Sequence, residues 1–206
     1  MKLFITFEGG EGTGKSVQAN LLKNFLIKSG HEVVLTREPG GTPLAEEIRK
    51  TLLIGDPEKM NPLTESLMYL AARSDHWEQK IKPELNASKV VISDRFHDSS
   101  LVYQGVCKGV DIKLLNDIYE KITNNQKPDR TYLIDLPPQI GISRSFSRET
   151  NNETRFEKMD ISFHEKVRQA FLDLARNERD RFLVIDGSHS IDEIHEIIRR
   201  DVEKFF

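Results

Sequence analysis

The stretch Gly9-Gly10-Glu11-Gly12-Thr13-Gly14-Lys15-Ser16 constrains this chain more than any other. It satisfies Gly-x-x-x-x-Gly-Lys-Ser/Thr at every required position. Leu3–Phe7 before it is an apolar run of strand length bounded by glycine, as suits a strand covered on both faces. Lys15–Lys28 after it carries Val17, Leu21, Leu22, Phe25 and Leu26 on one helical stripe, and Gly30 stops it. Strand, glycine-rich turn and helix in that order make a phosphate cradle. The glycines let the backbone wrap so that several N–H groups face phosphate oxygens, and the helix N-terminus adds positive character there. Lys15 is placed to reach the β- and γ-phosphates, and Ser16 to offer a hydroxyl to Mg²⁺. The expected ligands are ATP and Mg²⁺.

The rest of the chain repeats the alternation. Strands are predicted over 32–36, 89–93, 131–136 and 182–186. Helices are predicted over 42–53, 64–80, 113–123, from about Gln139, 160–177 and 192–205, with Leu67, Leu70 and Ala71 forming the apolar side of the second. Strands separated by helices mean a parallel sheet wound by right-handed crossovers. The fold class is therefore α/β: a P-loop fold with a five-stranded parallel sheet and helices on both faces. The 206 residues suit a single domain. The polar stretch Ser147–Glu157 lacks a core-facing stripe and has the profile of a mobile lid over about 147–157.

A P-loop does not by itself decide the reaction. The guanine reader of switch GTPases, Asn-Lys-x-Asp, has as its nearest counterpart Gln126-Lys127-Pro128-Asp129, which lacks the Asn. A small kinase fits best. The rivals are a kinase for another nucleotide or nucleoside, and a nucleotide-dependent switch or assembly protein. Cys107 is the sole cysteine, and no His-Glu-x-x-His pair suggests zinc. The net charge of −3 gives the whole chain no reason to bind nucleic acid or an anionic membrane. No stretch of about 18 apolar residues is present, and the N-terminus lacks the long apolar segment of a signal peptide. A cytoplasmic location is expected.

A kinase acting on a nucleotide must neutralise two anionic substrates that face each other, so it needs arginines besides the P-loop lysine. Arg37, Arg73, Arg95, Arg148 and Arg155 stand beside turns or on helices near them. Arg37, Asp94 and Arg95 fall at carboxyl ends of predicted strands, where open parallel sheets bind ligands. Tyr69 and Arg73, four residues apart, project from one helix face.

The segments FEGGEGTGKS, TREPGGT, LAAR, DRFHDSSLVYQG, PDRTYLIDL and TRFE, in this order, resemble the bacterial thymidylate kinases from end to end. The resemblance implies transfer of phosphate from ATP to dTMP with Mg²⁺, and a homodimer. It implies that Glu11 contacts the sugar or holds the acceptor end, and that Arg37 and Arg95 hold the dTMP phosphate beside Pro39. Arg95 would also bridge toward the transferred group. Tyr69 would stack on thymine, Arg73 would bond a base carbonyl, and Ser100 and Gln104 would complete that wall. Tyr103 would lie under the deoxyribose. Glu8 and Asp94, with Ser16, would form the magnesium shell. The P-loop contains no arginine and the lid region carries Arg148 and Arg155, so the resemblance implies a catalytic arginine in the lid.

Overall fold

The computed structural model describes residues 2–146 and 154–206. Five strands form one parallel sheet in the order β2-β3-β1-β4-β5. They are β1 (Leu3–Glu8), β2 (Val33–Arg37), β3 (Val90–Asp94), β4 (Arg130–Asp135) and β5 (Phe182–Asp186). The helices are α1 (Lys15–Lys28), α2 (Pro43–Leu53), α3 (Pro62–His76), α4 (Lys82–Asn86), α5 (His97–Ser100), α6 (Ile112–Thr123), α7 (Pro138–Phe146), α8 (Ile161–Asn177) and α9 (Ile191–Val202). Two widened, π-helical turns extend them, Trp77–Ile81 after α3 and Leu101–Cys107 after α5.

Alternation along β1 divides the core. Leu3, Ile5 and Phe7 pack with Ala19, Leu22 and Leu26 of α1 and with Ile194, Ile198 and Val202 of α9. Phe4 points the other way, into Trp77, Ile81, Val91, Phe96 and Tyr119. A further cluster joins Tyr103, Leu133, Phe156, Val167 and Phe171. At this depth the sheet also buries a polar chain: Thr6 Oγ1 meets Thr131 Oγ1 at 2.8 Å, and Arg181 donates to Thr131 at 2.7 Å and to Asp98 at 2.7 and 2.9 Å. Each member has a partner, as buried polar groups require.

The predicted limits of α1 and β5 coincide with the observed ones, and the other strands shift by a residue at one or both ends. Two predicted stripes are corrected. Val17 on α1 and Leu67 and Ala71 on α3 are exposed. Leu70 of the predicted α3 stripe is buried as expected, with Ala72 near it, and the inward face of α3 also carries the polar residues Glu65, Ser66, Arg73 and His76. Arg73 brings that face to the cavity, while Leu67 and Ala71 turn outward. Among the described residues no helix is long and apolar enough to cross a membrane.

Candidate active site

The carboxyl ends of β1, β2 and β3 open onto one cavity. Its wall includes Glu11–Ser16, Arg37, Pro39, Tyr69, Arg73, Asp94, Arg95, Ser100, Tyr103 and Gln104. At its floor the P-loop leaves β1 and enters α1 through Gly14, whose φ of 98° is left-handed and favours glycine. Gly12 is held at φ 65° so close to α7 that a Cβ would lie 1.8 Å from the Gly141 carbonyl oxygen. Gly141, inside a helix where glycine costs stability, permits this approach, and no local sequence pattern marks it. Lys15 folds back over the loop and donates to the Gly10 carbonyl at 2.6 Å. Burial first, then the neighbouring Arg95, pushes its ammonium down to about 8. Opposing carboxylates only partly offset this, so the lysine is poised to gain from a polyphosphate.

Arg95 follows β3 with φ at +68°, uncommon for a residue with a side chain and the kind of local strain that persists where surroundings impose it. Its own N–H donates to Phe7 O at 2.9 Å. Its guanidinium donates to Gly9 O at 3.0 Å, Ser99 Oγ at 3.1 Å and Glu11 Oε1 at 2.7 Å, and lies over the Tyr103 ring. The Tyr103 hydroxyl donates to the same Glu11 oxygen at 2.9 Å. Burial would raise the Glu11 carboxyl, but Arg95, then Lys15 and the Tyr103 hydroxyl, pull it down to about 2. Arg95 is thus aimed across the mouth of the P-loop by a charged P-loop carboxylate.

Glu8, expected in a magnesium shell, is placed elsewhere. It is wholly buried and accepts from Phe96 N at 2.8 Å, Ser99 N at 3.3 Å and Ser99 Oγ at 2.6 Å. Burial, with Asp98 adding to it, raises its carboxyl to about 7. It ties down the first turn of α5, and so the backbone that presents Arg95. The oxygen pair that suits Mg²⁺ is Ser16 and Asp94. Both line the cavity, and the Ser16 hydroxyl donates to Asp94 Oδ2. A hydroxyl and one carboxylate match an ion that prefers oxygen ligands and takes much of its shell from substrate phosphates and water.

The far wall carries the groups that can read a base. Arg73, 2% exposed, donates through Nε to Glu38 at 2.7 Å and through Nη1 and Nη2 to Ser100 Oγ and Phe96 O, each at 3.1 Å. Three of its five N–H groups are thereby used, and two remain for the cavity it lines. Glu38 also meets His76 Nδ1 at 3.1 Å, and His76 Nε2 meets Thr36 Oγ1 at 2.6 Å. Burial opposes the charge on Glu38, but Arg73 and then His76 lower its pKa. No local signal singles out Glu38, because its partners lie 35 and 38 residues away. Tyr69 stands one helical turn before Arg73. Arg37 is exposed and pairs with Glu46 at 3.0 Å, while the Pro39 carbonyl accepts from Arg49 at 2.8 Å.

Of the two predicted lid arginines, Arg148 lies outside the described residues. Arg155 does not line the cavity. It is 1% exposed and donates to the carbonyls of Asp56 at 3.0 Å, Leu52 at 3.0 Å and Pro57 at 2.6 Å, and it pairs with Glu65 at 2.5 Å. The structure makes it a clamp between the end of the lid region and the turn after α2. Its neighbours Phe156 and Glu157, which sequence reading left without a role, do line the cavity. Phe156 meets Tyr103 edge-on at 5.4 Å.

The sequence profile of the thymidylate kinase family matches residues 7–198. The thymidylate kinase of Ruegeria pomeroyi is 47% identical over 192 residues, which cover 93% of this chain and 90% of the relative. That of Symbiobacterium thermophilum is 45% identical over 204 residues, covering 99% and 94%. The crystal structure of thymidylate kinase from Ehrlichia chaffeensis superposes with a TM-score of 0.79 at 33% identity, covering 98% of both chains. With the profile spanning nearly its whole length and relatives of 45–47% identity covered almost end to end, this chain belongs to the thymidylate kinase family.

Proposed function

We propose that this protein transfers the γ-phosphate of ATP to dTMP, giving ADP and dTDP, on the way to dTTP. One observation carries the reading: P-loop residues Glu11–Ser16, the Tyr69–Arg73–Ser100–Gln104 wall and Arg95 line the same cavity. Phosphoryl transfer needs positioning and charge stabilisation more than covalent help. Lys15 and the P-loop N–H groups hold the donor phosphates. Arg95, released from or shared with Glu11, holds the acceptor phosphate in line, with Arg37 at the rim. Mg²⁺ bound with ATP adds charge neutralisation, and Ser16 and Asp94 are the residues that would hold it. Tyr103 covers the place where a ribose 2′-hydroxyl would project. Arg148, in the lid over 147–157 of this single-domain chain, is the arginine assigned to the moving phosphoryl group.

Acceptor kinetics test the reading. Arg73 offers donors, which suit a 4-carbonyl and oppose a 4-amino group, so kcat/KM ranks dTMP and dUMP well above dCMP, with UMP also low. One methyl in an apolar pocket gives dTMP only about a 10- to 200-fold lead over dUMP. A higher kcat/KM for dCMP or UMP contradicts the assignment. The outward apolar side chains Leu44 of α2 and Leu63 and Leu67 of α3, each about half exposed, support a homodimer packed through these helices. Sedimentation at the mass of one chain would contradict it. We assign the enzyme to the cytoplasm as a soluble protein without nucleic-acid or membrane partners, and fractionation of cells with the membrane pellet would count against this.

A further inference from the structure

Behind the base-reading wall lies a buried charge cluster with one carboxylate at its centre. Glu65 of α3 is 0% exposed. Its Oε1 accepts from Gln104 Nε2 and from Lys108 Nζ, both at 2.8 Å. Its Oε2 accepts from Lys108 Nζ at 2.8 Å and pairs with Arg155 Nη2 at 2.5 Å. Every neighbour named here is a donor. A carboxylate held by two cations has only acceptor oxygens to offer, so the Gln104 carboxamide must turn its NH₂ toward Glu65. The carbonyl end of the same planar amide is then the end left for the cavity that Gln104 lines.

The consequence is chemical. Thymine and uracil carry an N3–H donor beside a 4-carbonyl acceptor, and cytosine carries an N3 acceptor beside a 4-amino donor. Arg73 supplies donors and Gln104 supplies an acceptor, a pair that complements the first pattern and opposes the second. Resting on the dTMP reading above, we infer that Glu65, a residue that never touches substrate, sets the base preference of this site by fixing which end of the Gln104 amide faces the base.

Glu65→Gln tests this at the level of single atoms. The new side chain has one oxygen and one NH₂. Arg155 meets Oε2 and Lys108 meets both oxygens, so the oxygen stays at Oε2 where both cations reach it, Lys108 gives up its Oε1 contact, and the NH₂ takes the place of Oε1 and faces Gln104. Gln104 must then flip to accept, and it presents NH₂ to the cavity. The ratio of kcat/KM for dTMP to that for dCMP falls at least about tenfold, chiefly through loss on dTMP, with KM for ATP unchanged. Lys108→Met weakens the same cluster without reversing the amide. It lowers Tm and leaves the ratio as in the wild type. Gln104→Met also lowers the ratio, and adding Glu65→Gln to it causes no further fall.

An unchanged ratio in Glu65→Gln overturns the inference. So does an equal fall in Lys108→Met, which would mean general loosening of the wall, and so does an additive fall in the double variant. Should Glu65→Gln not fold, Glu65→Asp keeps the charge for Lys108 and Arg155 but withdraws the acceptor from Gln104. The ratio must fall there too, and an unchanged one overturns the inference. If the wild type itself fails to prefer dTMP over dCMP, the acceptor assignment is at fault rather than the role of Glu65.

Discussion

Replacing Lys15 by Ala lowers kcat roughly 10²- to 10³-fold, as removal of one fixed electrostatic group at a transition state does, while the protein stays folded. Lys15 is the one ammonium in the P-loop, and its local partners are the Gly10 carbonyl at 2.6 Å and, more loosely, Thr13 Oγ1 at 3.4 Å. Losing these contacts leaves a carbonyl beside an open cavity, which water can satisfy, so the cost to stability is small. The cost to catalysis is large because the charge is desolvated. Burial holds the ammonium down to about 8, and a group unscreened in this way acts strongly on charge that develops next to it. Steady-state kinetics with dTMP, together with a thermal melt, check both halves. A kcat near that of the wild type contradicts the assignment of the donor site.

Arg155→Met should do the reverse. Removing one partner of a buried pair costs about 3–5 kcal/mol, a fall in Tm of about 6–20 °C for a chain of this size. Arg155 closes three backbone carbonyls, that of Leu52 fully buried, and the buried Glu65 carboxylate, so few single side chains here hold more structure. Because its guanidinium points away from the cavity, kcat of the folded fraction falls by less than about tenfold, whereas loss of an arginine finger costs on the order of 10³–10⁵. Melting curves and kinetics below the new Tm separate the two roles. An unchanged Tm with kcat reduced by about 10³ or more would make Arg155 the finger and contradict the clamp.

How much was legible in the sequence follows from the range of the forces involved. The P-loop, α1 and the strand cores are local signals: a glycine pattern, an apolar run, a terminating Gly30. They were found within a residue or so. Arg73, Ser100 and Gln104 came from motif order, and the structure does bring them to one wall. The failures are at long range. Glu8 stands at a strand end suited to a metal, yet its Ser99 partner lies 91 residues on. Arg155 stands beside a polar segment suited to a lid, but its carbonyl partners lie 98 to 103 residues back. The stripe on α3 misled for a different reason. Leu70 is buried as the periodicity expects, but Leu67 and Ala71 are not, because the buried face of α3 is shared with Glu65, Ser66, Arg73 and His76. The turn from His97 to Cys107 has no clear helical signal in the sequence, since Ser99, Ser100 and Gly105 weaken it, and the fold holds it in α5 and a π-helical turn through Glu8 and the cavity wall.

Following the phosphate itself tests the dTMP kinase reaction most directly. ATP labelled on its terminal phosphate is incubated with the enzyme and Mg²⁺, with and without dTMP, and the products are separated. A dTMP kinase puts the label in dTDP, stoichiometric with ADP, and almost none in inorganic phosphate when dTMP is absent. Label released as inorganic phosphate at the same rate with or without dTMP would contradict it, leaving a P-loop nucleotide hydrolase in place of a dTMP kinase.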